Sequence, residues 1–141
     1  MRPATRLAFA AGLTLIAAPA LADAIKPVVV TPLMTTSVTS SGQPIVLPQK
    51  DVQVIVSTYD IQPGATLPLH KHPSARYAYV LAGTLNVFNE STGETLTFKQ
   101  GDFLLEAIGQ WHRGSNVGAD PVKLLVIDQI EKGSPVVVIK P

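Results

Sequence analysis

The sequence contains no cysteine, and only three of its 141 residues are histidine. Disulfide staples are therefore excluded, and the fold must rest on a buried apolar core, for which the chain is long enough. Charge of one sign is also missing: eleven Lys and Arg stand against ten Asp and Glu, a formal net charge of +1. That balance argues against a nucleic-acid partner. There is no internal repeat, no long linker, no phosphate-binding glycine loop and no nucleophile triad. No segment keeps a helical period over three turns, so helices are not expected to build the fold.

Hydrophobic runs are short, with one exception at the start. Arg2 and Arg6 precede an apolar run from Leu7 to Ala18, which ends in Ala20, Leu21 and Ala22. This is the pattern of a secretory signal peptide over residues 1–22 with a small-residue cleavage site, and it predicts a periplasmic or secreted protein. The arginines are not paired, which favours export of the unfolded chain. No later segment approaches the roughly 20 apolar residues of a membrane span, so none is expected after cleavage. The mature chain from Asp23 keeps nine Lys and Arg against ten Asp and Glu and is weakly acidic.

What is abundant is Val, Ile and Thr in short runs, punctuated by Gly, Pro, Asn, Asp and Ser. This predicts many short strands: Val28–Thr36, Val52–Tyr59, Thr66–Leu69, Tyr77–Leu81, Thr84–Asn89, Thr95–Phe98, Phe103–Glu106, His112–Asn116, Val122–Ile130 and Val136–Ile139. Turn signals separate them at QPG (Gln62–Gly64), STG (Ser91–Gly93), QGD (Gln100–Asp102) and GADP (Gly118–Pro121). The fold class is all-β, an antiparallel sandwich or barrel. Residues 23–51 read as an N-terminal strand and loop arm, and residues 52–141 as the barrel. Met34–Gln49 is the most loop-like part, either a surface connection or a mobile or exchanged arm. With no insertion between strands to serve as a lid, the mouth of the barrel is expected to be open. Asn89-Glu90-Ser91 fits a glycosylation acceptor and reads as a turn.

The chemistry concentrates in His70, His72 and His112. Residues two apart on a strand face the same way, so His70 and His72 aim both imidazoles at one point while Lys71 faces the other way. Imidazole suits Fe, Mn, Ni, Cu and Zn. A third ligand must come from a strand folded alongside, and His112 is the remaining histidine. An isolated His-x-His before Pro73 would otherwise be surface decoration.

The wider spacing resembles the cupin superfamily. GATLPLHKHPSARYAYVLAG matches the first cupin motif, G-x5-H-x-H-x3-4-E-x6-G, at Gly64, His70, His72 and Gly83. GDFLLEAIGQWHRGSN matches the second, G-x5-P-x-G-x2-H-x3-N, at Gly101, Gly109, His112 and Asn116. The resemblance covers roughly Val52 to Ile130 and implies a jelly-roll β-barrel holding one divalent transition metal on His70, His72 and His112. It departs from the motifs twice. Ala107 replaces a proline, which loosens a corner; Arg76 stands where the first motif has a glutamate ligand.

Arginine has only donors and stays protonated, so it is not a metal ligand. Facing inward it needs a compensating charge. Glu106, inside the apolar FLLEAI stretch and on the parity of His112, is the expected answer. It is expected to pair with Arg76; the alternative is that it ligates the metal. In the first case Arg76 is poised to recognise a substrate anion beside three neutral histidines. Gln110 and Asn116 share the inward parity and are candidates to orient a histidine or a water, with a core hydrogen bond to backbone equally expected of each. Trp111 and Arg113 should face outward, as should Tyr77, Tyr79 and Leu81, an aromatic stripe that suggests a homodimer. The implied activity is a metal-dependent, dioxygenase-like reaction on a small, possibly anionic molecule. Alternatives are a binding cupin without turnover and a metal-free structural one.

Overall fold

The computed structural model describes residues 28–141, so the expected leader over residues 1–22 lies outside the described residues. Nine strands follow in order: β1 Val52–Ile61, β2 His70–Lys71, β3 Arg76–Ala82, β4 Thr84–Asn89, β5 Thr95–Lys99, β6 Phe103–Leu105, β7 His112–Ser115, β8 Val122–Glu131 and β9 Val138–Ile139. They form two antiparallel sheets, with orders β1-β8-β3-β6 and β5-β4-β7-β2-β9. No helix occurs among the described residues, and none is therefore long and apolar enough to cross a membrane. This is the all-β jelly roll that the strand pattern predicts.

Alternation places the core. On β8, Val122, Leu124, Val126 and Ile130 point inward and are buried, while Lys123 and Glu131 are exposed. Ala78 and Val80 of β3, Leu85 of β4 and Leu104 of β6 join them from both sheets. The β3–β4 corner depends on Gly83, at φ +77°. A Cβ there would sit 2.7 Å from the Pro121 carbonyl oxygen, so the corner admits glycine alone.

Two expected strands do not form, for different reasons. Val28–Thr36 is β-branched but forms no strand, and Val28, Val30 and Leu33 are exposed. Thr66–Leu69 makes only an isolated bridge from Thr66 to Ser115. Pro68 has no N–H to give to a ladder, so regular pairing resumes at His70.

The loop-like segment is more ordered than its composition suggests. Val38 and Pro44 bridge across a small hairpin whose Gly42 turns at φ +79°. Thr39 within it is 95% buried, at 5% exposure. Ser40 N–H donates to the Leu105 carbonyl at 2.8 Å, fastening the hairpin alongside the end of β6.

Candidate metal centre

Strand register brings the three histidines together. His70 on β2 is the direct antiparallel partner of His112 on β7, and directly opposed residues present their side chains on one face. His72 follows two residues later on the same face and bridges to Ile108. The imidazole centroids lie 4.7–5.0 Å apart. Glu106, one residue beyond β6, completes the group. One ligand atom from each of His70, His72, Glu106 and His112 lies within 4.8 Å of the others.

The backbone fixes how each ring is presented. Nδ1 of His70 lies 2.7 Å from the Pro68 carbonyl, Nδ1 of His72 3.0 Å from Val136, and Nδ1 of His112 2.8 Å from Gln110. A carbonyl only accepts, so all three Nδ1 atoms carry the proton. In the neutral rings all three Nε2 atoms are then lone pairs, the arrangement by which carbonyl-anchored imidazoles serve as metal ligands. Glu106 Oε2 lies 2.9 Å from His112 Nε2 and 3.0 Å from His72 Nε2. His72 Nε2 is nevertheless buried without a hydrogen-bond partner, because its contact with the carboxylate is short but poorly aligned.

Lone pairs facing a carboxylate repel it unless a cation lies between them. In the metal-free chain that cation is a proton. Burial alone would push the Glu106 carboxyl up, but its contacts with His112 and His72 hold it well below the usual carboxylate range. Burial lowers His112, yet the Glu106 hydrogen bond outweighs it and the net shift is upward. His70 is pulled down, mainly by burial. Three imidazoles this close cannot all be cations, so protons satisfy the cluster only in part. One divalent ion would satisfy three lone pairs and a carboxylate together, and the donor set fits it.

Arg76 enters the barrel as expected, but its partner is not Glu106. Its Nε donates to Asp128 Oδ1 at 2.6 Å and its Nη2 to Oδ2 at 3.0 Å, a bidentate pair with both side chains at most 5% exposed. The reason is register. Arg76 and Asp128 are direct partners across β3 and β8, whereas Glu106 meets Arg76 only through its backbone N–H, 3.0 Å from the Arg76 carbonyl. Burial alone would lower the guanidinium; Asp128 and the charge of Glu106 hold it raised instead. Nη1 is the least engaged donor, 3.5 Å from the Tyr59 hydroxyl. The same parity that singles out Glu106 identifies Asp128, the one acidic residue on the inward row of Val122, Leu124, Val126 and Ile130.

Neither of the two candidate polar helpers turns its side chain to the histidines. Gln110 holds His112 through its backbone carbonyl, while its side-chain oxygen accepts from Asn89 Nδ2 at 2.7 Å. Asn116 lies in a corner: its Nδ2 donates to the carbonyls of Ile61 and Asp120, and its Oδ1 accepts from Gly118 N–H. It is a structural clamp away from the cluster. Asn89, in the acceptor-like triplet, is buried.

A cavity of about 20 Å³ lies between the histidines and Arg76, walled by Ile61, Leu85, Leu124 and Val126. It has room for one water-sized molecule. A second recess of about 20 Å³ reaches His112 from the other side, past Ser40, Ser41, Asn89 and Ala107. Ser40 and Ser41 thus bring the Val38–Pro44 hairpin to the edge of the space beside His112. Trp111 and Arg113 do lie outside. Lys71 Nζ stands 4.6 Å from the Trp111 ring, and the Arg113 guanidinium 5.4 Å from Phe88.

Residues 57–128 match the family model described as Cupin_2, a cupin domain. No curated protein matches the chain. Among solved structures, the Lactobacillus farciminis oxalate decarboxylase formate complex aligns at 26% identity and a TM-score of 0.51, over 61% of this chain and 26% of that one. The polyketide cyclase RemF from Streptomyces resistomycificus aligns at 19% identity and a TM-score of 0.54, over 62% of each chain. Bacillus subtilis oxalate decarboxylase, described with Mn(II) centres, aligns at 23% identity and a TM-score of 0.51, over 61% of this chain and 23% of that one. This chain therefore spans about a quarter of the length of the decarboxylases it resembles.

Proposed function

Because the chain belongs to the cupin family, with its cupin domain over residues 57–128, we propose that it is an exported metal-binding cupin acting on a small anionic molecule. The observation that carries this reading is the set of three Nδ1 atoms anchored on backbone carbonyls, which turns three Nε2 atoms toward one carboxylate. His70, His72, His112 and Glu106 would hold one divalent ion of Fe, Mn, Ni, Cu or Zn. Glu106 takes the ligand role that Arg76 vacates in the first motif. The related decarboxylase with Mn(II) centres makes manganese a suitable first ion to test. Bound there, the metal would act as a Lewis acid or as the meeting point of oxygen and substrate, as in a dioxygenase.

The chain's own residues supply the rest. Arg76 and Asp128 cancel each other, so a divalent ion with Glu106 leaves the cavity one net positive charge. A monoanion neutralises it. Arg76 Nη1 and the Tyr59 hydroxyl are the donors left facing such a ligand. The apolar walls of Ile61, Leu85, Leu124 and Val126 lower the local dielectric and strengthen the attraction.

A second reading, capture of a metal or small ligand without turnover, draws on the 20 Å³ cavity, which admits no organic substrate in the conformation described. Loading with Mn(II) and Fe(II) separates the two. An exchangeable water and oxygen consumption support the enzyme; closed coordination without turnover supports the binding module. Export to the periplasm or medium rests on the leader pattern and is tested by fractionation of the native host. A homodimer is proposed from the outer sheet face and is taken up in the Discussion.

A further inference from the structure

The segment from Glu106 to Gly109 carries a ligand of the candidate centre but belongs to no regular strand. On one side it is held by the barrel: Gly109 N–H donates to the His72 carbonyl at 2.8 Å, and Ile108 bridges to His72 in parallel. In that arrangement the N–H and C=O of Ile108 itself face away from His72. Both are met by one side chain. Gln43 Nε2 donates to the Ile108 carbonyl at 2.8 Å, and Ile108 N–H donates to Gln43 Oε1 at 2.9 Å. The amide thus stands in for a neighbouring strand.

Gln43 is itself set by its hairpin. Its Oε1 also accepts from Ser41 Oγ at 3.0 Å, and its backbone is tied to Thr39, whose N–H donates to the Gln43 carbonyl at 2.8 Å. The same hairpin bonds Leu105 through Ser40. Its two attachments therefore fall on either side of Glu106. Leu105 and Ile108 are pinned, and the carboxylate between them is aimed at His72 and His112.

We propose that Gln43 is a positioning residue of the metal centre, acting through the Ile108 backbone to hold Glu106 in ligand geometry. This rests on the metal reading above and adds to it the N-terminal hairpin. The segment that looks like a surface connection is the outer support of a ligand, and its Ser40 and Ser41 line the recess that borders His112. Outer supports of ligands change metal affinity by about 10- to 100-fold when removed.

The test uses the mature protein and Co(II) as probe, read by its visible absorption, by its dissociation constant and by the rate of removal with a chelator. Gln43→Leu should weaken Co(II) at least tenfold, speed its removal and alter the absorption band. Gln43→Glu, which keeps the acceptor for Ile108 N–H but sets an oxygen against its carbonyl, should fall between. In a Glu106→Gln background, Gln43→Leu should add less than twofold, because its effect passes through the carboxylate. Unchanged affinity and removal rate in Gln43→Leu would overturn the proposal, as would an effect of full size without Glu106. A wild-type chain that takes up no Co(II) refutes the metal reading instead. Amide hydrogen exchange then decides the clamp, which predicts faster exchange at Ile108 in Gln43→Leu and is overturned by unchanged exchange.

Discussion

Two inward-facing carboxylates divide the labour inside the barrel, and register decides which does what. Asp128 lies opposite Arg76 and neutralises it; Glu106 lies beside the histidines and faces them. Removing one partner of a buried ion pair leaves an uncompensated charge, which costs about 3–5 kcal/mol. Arg76→Ala and Asp128→Asn should each lower unfolding stability by about that amount in urea melts, while Arg76→Met combined with Asp128→Leu should recover most of it. If the single variants were near neutral, the pair would not be holding β3 to β8. The histidines predict a pH signature for the metal-free protein. His112 is raised on folding, so its contribution is fully present below its unfolded value of about 6.5 and fades as pH rises through the folded value. His70 is lowered, so a penalty appears as pH falls below about 6.5 through its folded value. Stability of the metal-free chain should therefore peak near pH 6.5 in a series of urea melts, and a metal-loaded chain should lose that peak on the alkaline side.

Among the elements, legibility followed periodicity and failed where pairing decides. Thr84–Asn89 forms β4 with the predicted bounds, and seven other predicted strands appear within a few residues of expectation, because alternation of inward and outward side chains marks them locally. Val28–Thr36 has the same β-branched composition but no neighbour to complete its hydrogen bonds, and composition does not reveal that. The three histidines were legible from the His-x-His spacing and the two motifs. The inward turn of Glu106 was legible from parity, and that of Arg76 from its place in the first motif. Their pairing was not, since parity turns Asp128 inward but says nothing of which strand lies alongside. Gln43 was hidden for a further reason: its role is to satisfy the N–H and the carbonyl of one residue 65 positions away, and no spacing rule records that. Gln110 shows the converse, a residue at the right position that acts through its carbonyl and not its side chain.

At the scale of the whole molecule, the outer face of the four-stranded sheet carries an apolar row. Val56, Ile127, Tyr77 and Leu105 are successive partners across β1, β8, β3 and β6. Tyr77 packs near Phe103 at 6.3 Å, and Val54 and Val56 of the edge strand are more than half exposed. Leu105 is buried at 7% exposure, so the row is open toward β1 and not toward β6, and a second copy packed on that uncharged β1 side about a two-fold axis is the proposed occupant. Sedimentation equilibrium of the mature chain should give the mass of two chains, and Val56→Glu should shift it toward one while preserving metal content. A monomer at all concentrations would remove the homodimer.

The central claim is that His70, His72, His112 and Glu106 form one metal site, and elemental analysis of untagged mature protein tests it most directly. After gentle purification, or after loading in turn with Mn, Fe, Ni, Cu and Zn, one divalent ion per chain is expected. His112→Ala should abolish that occupancy, and Glu106→Gln should weaken it by an order of magnitude or more. No bound metal under any of these conditions, or full occupancy retained without His112, would contradict the account.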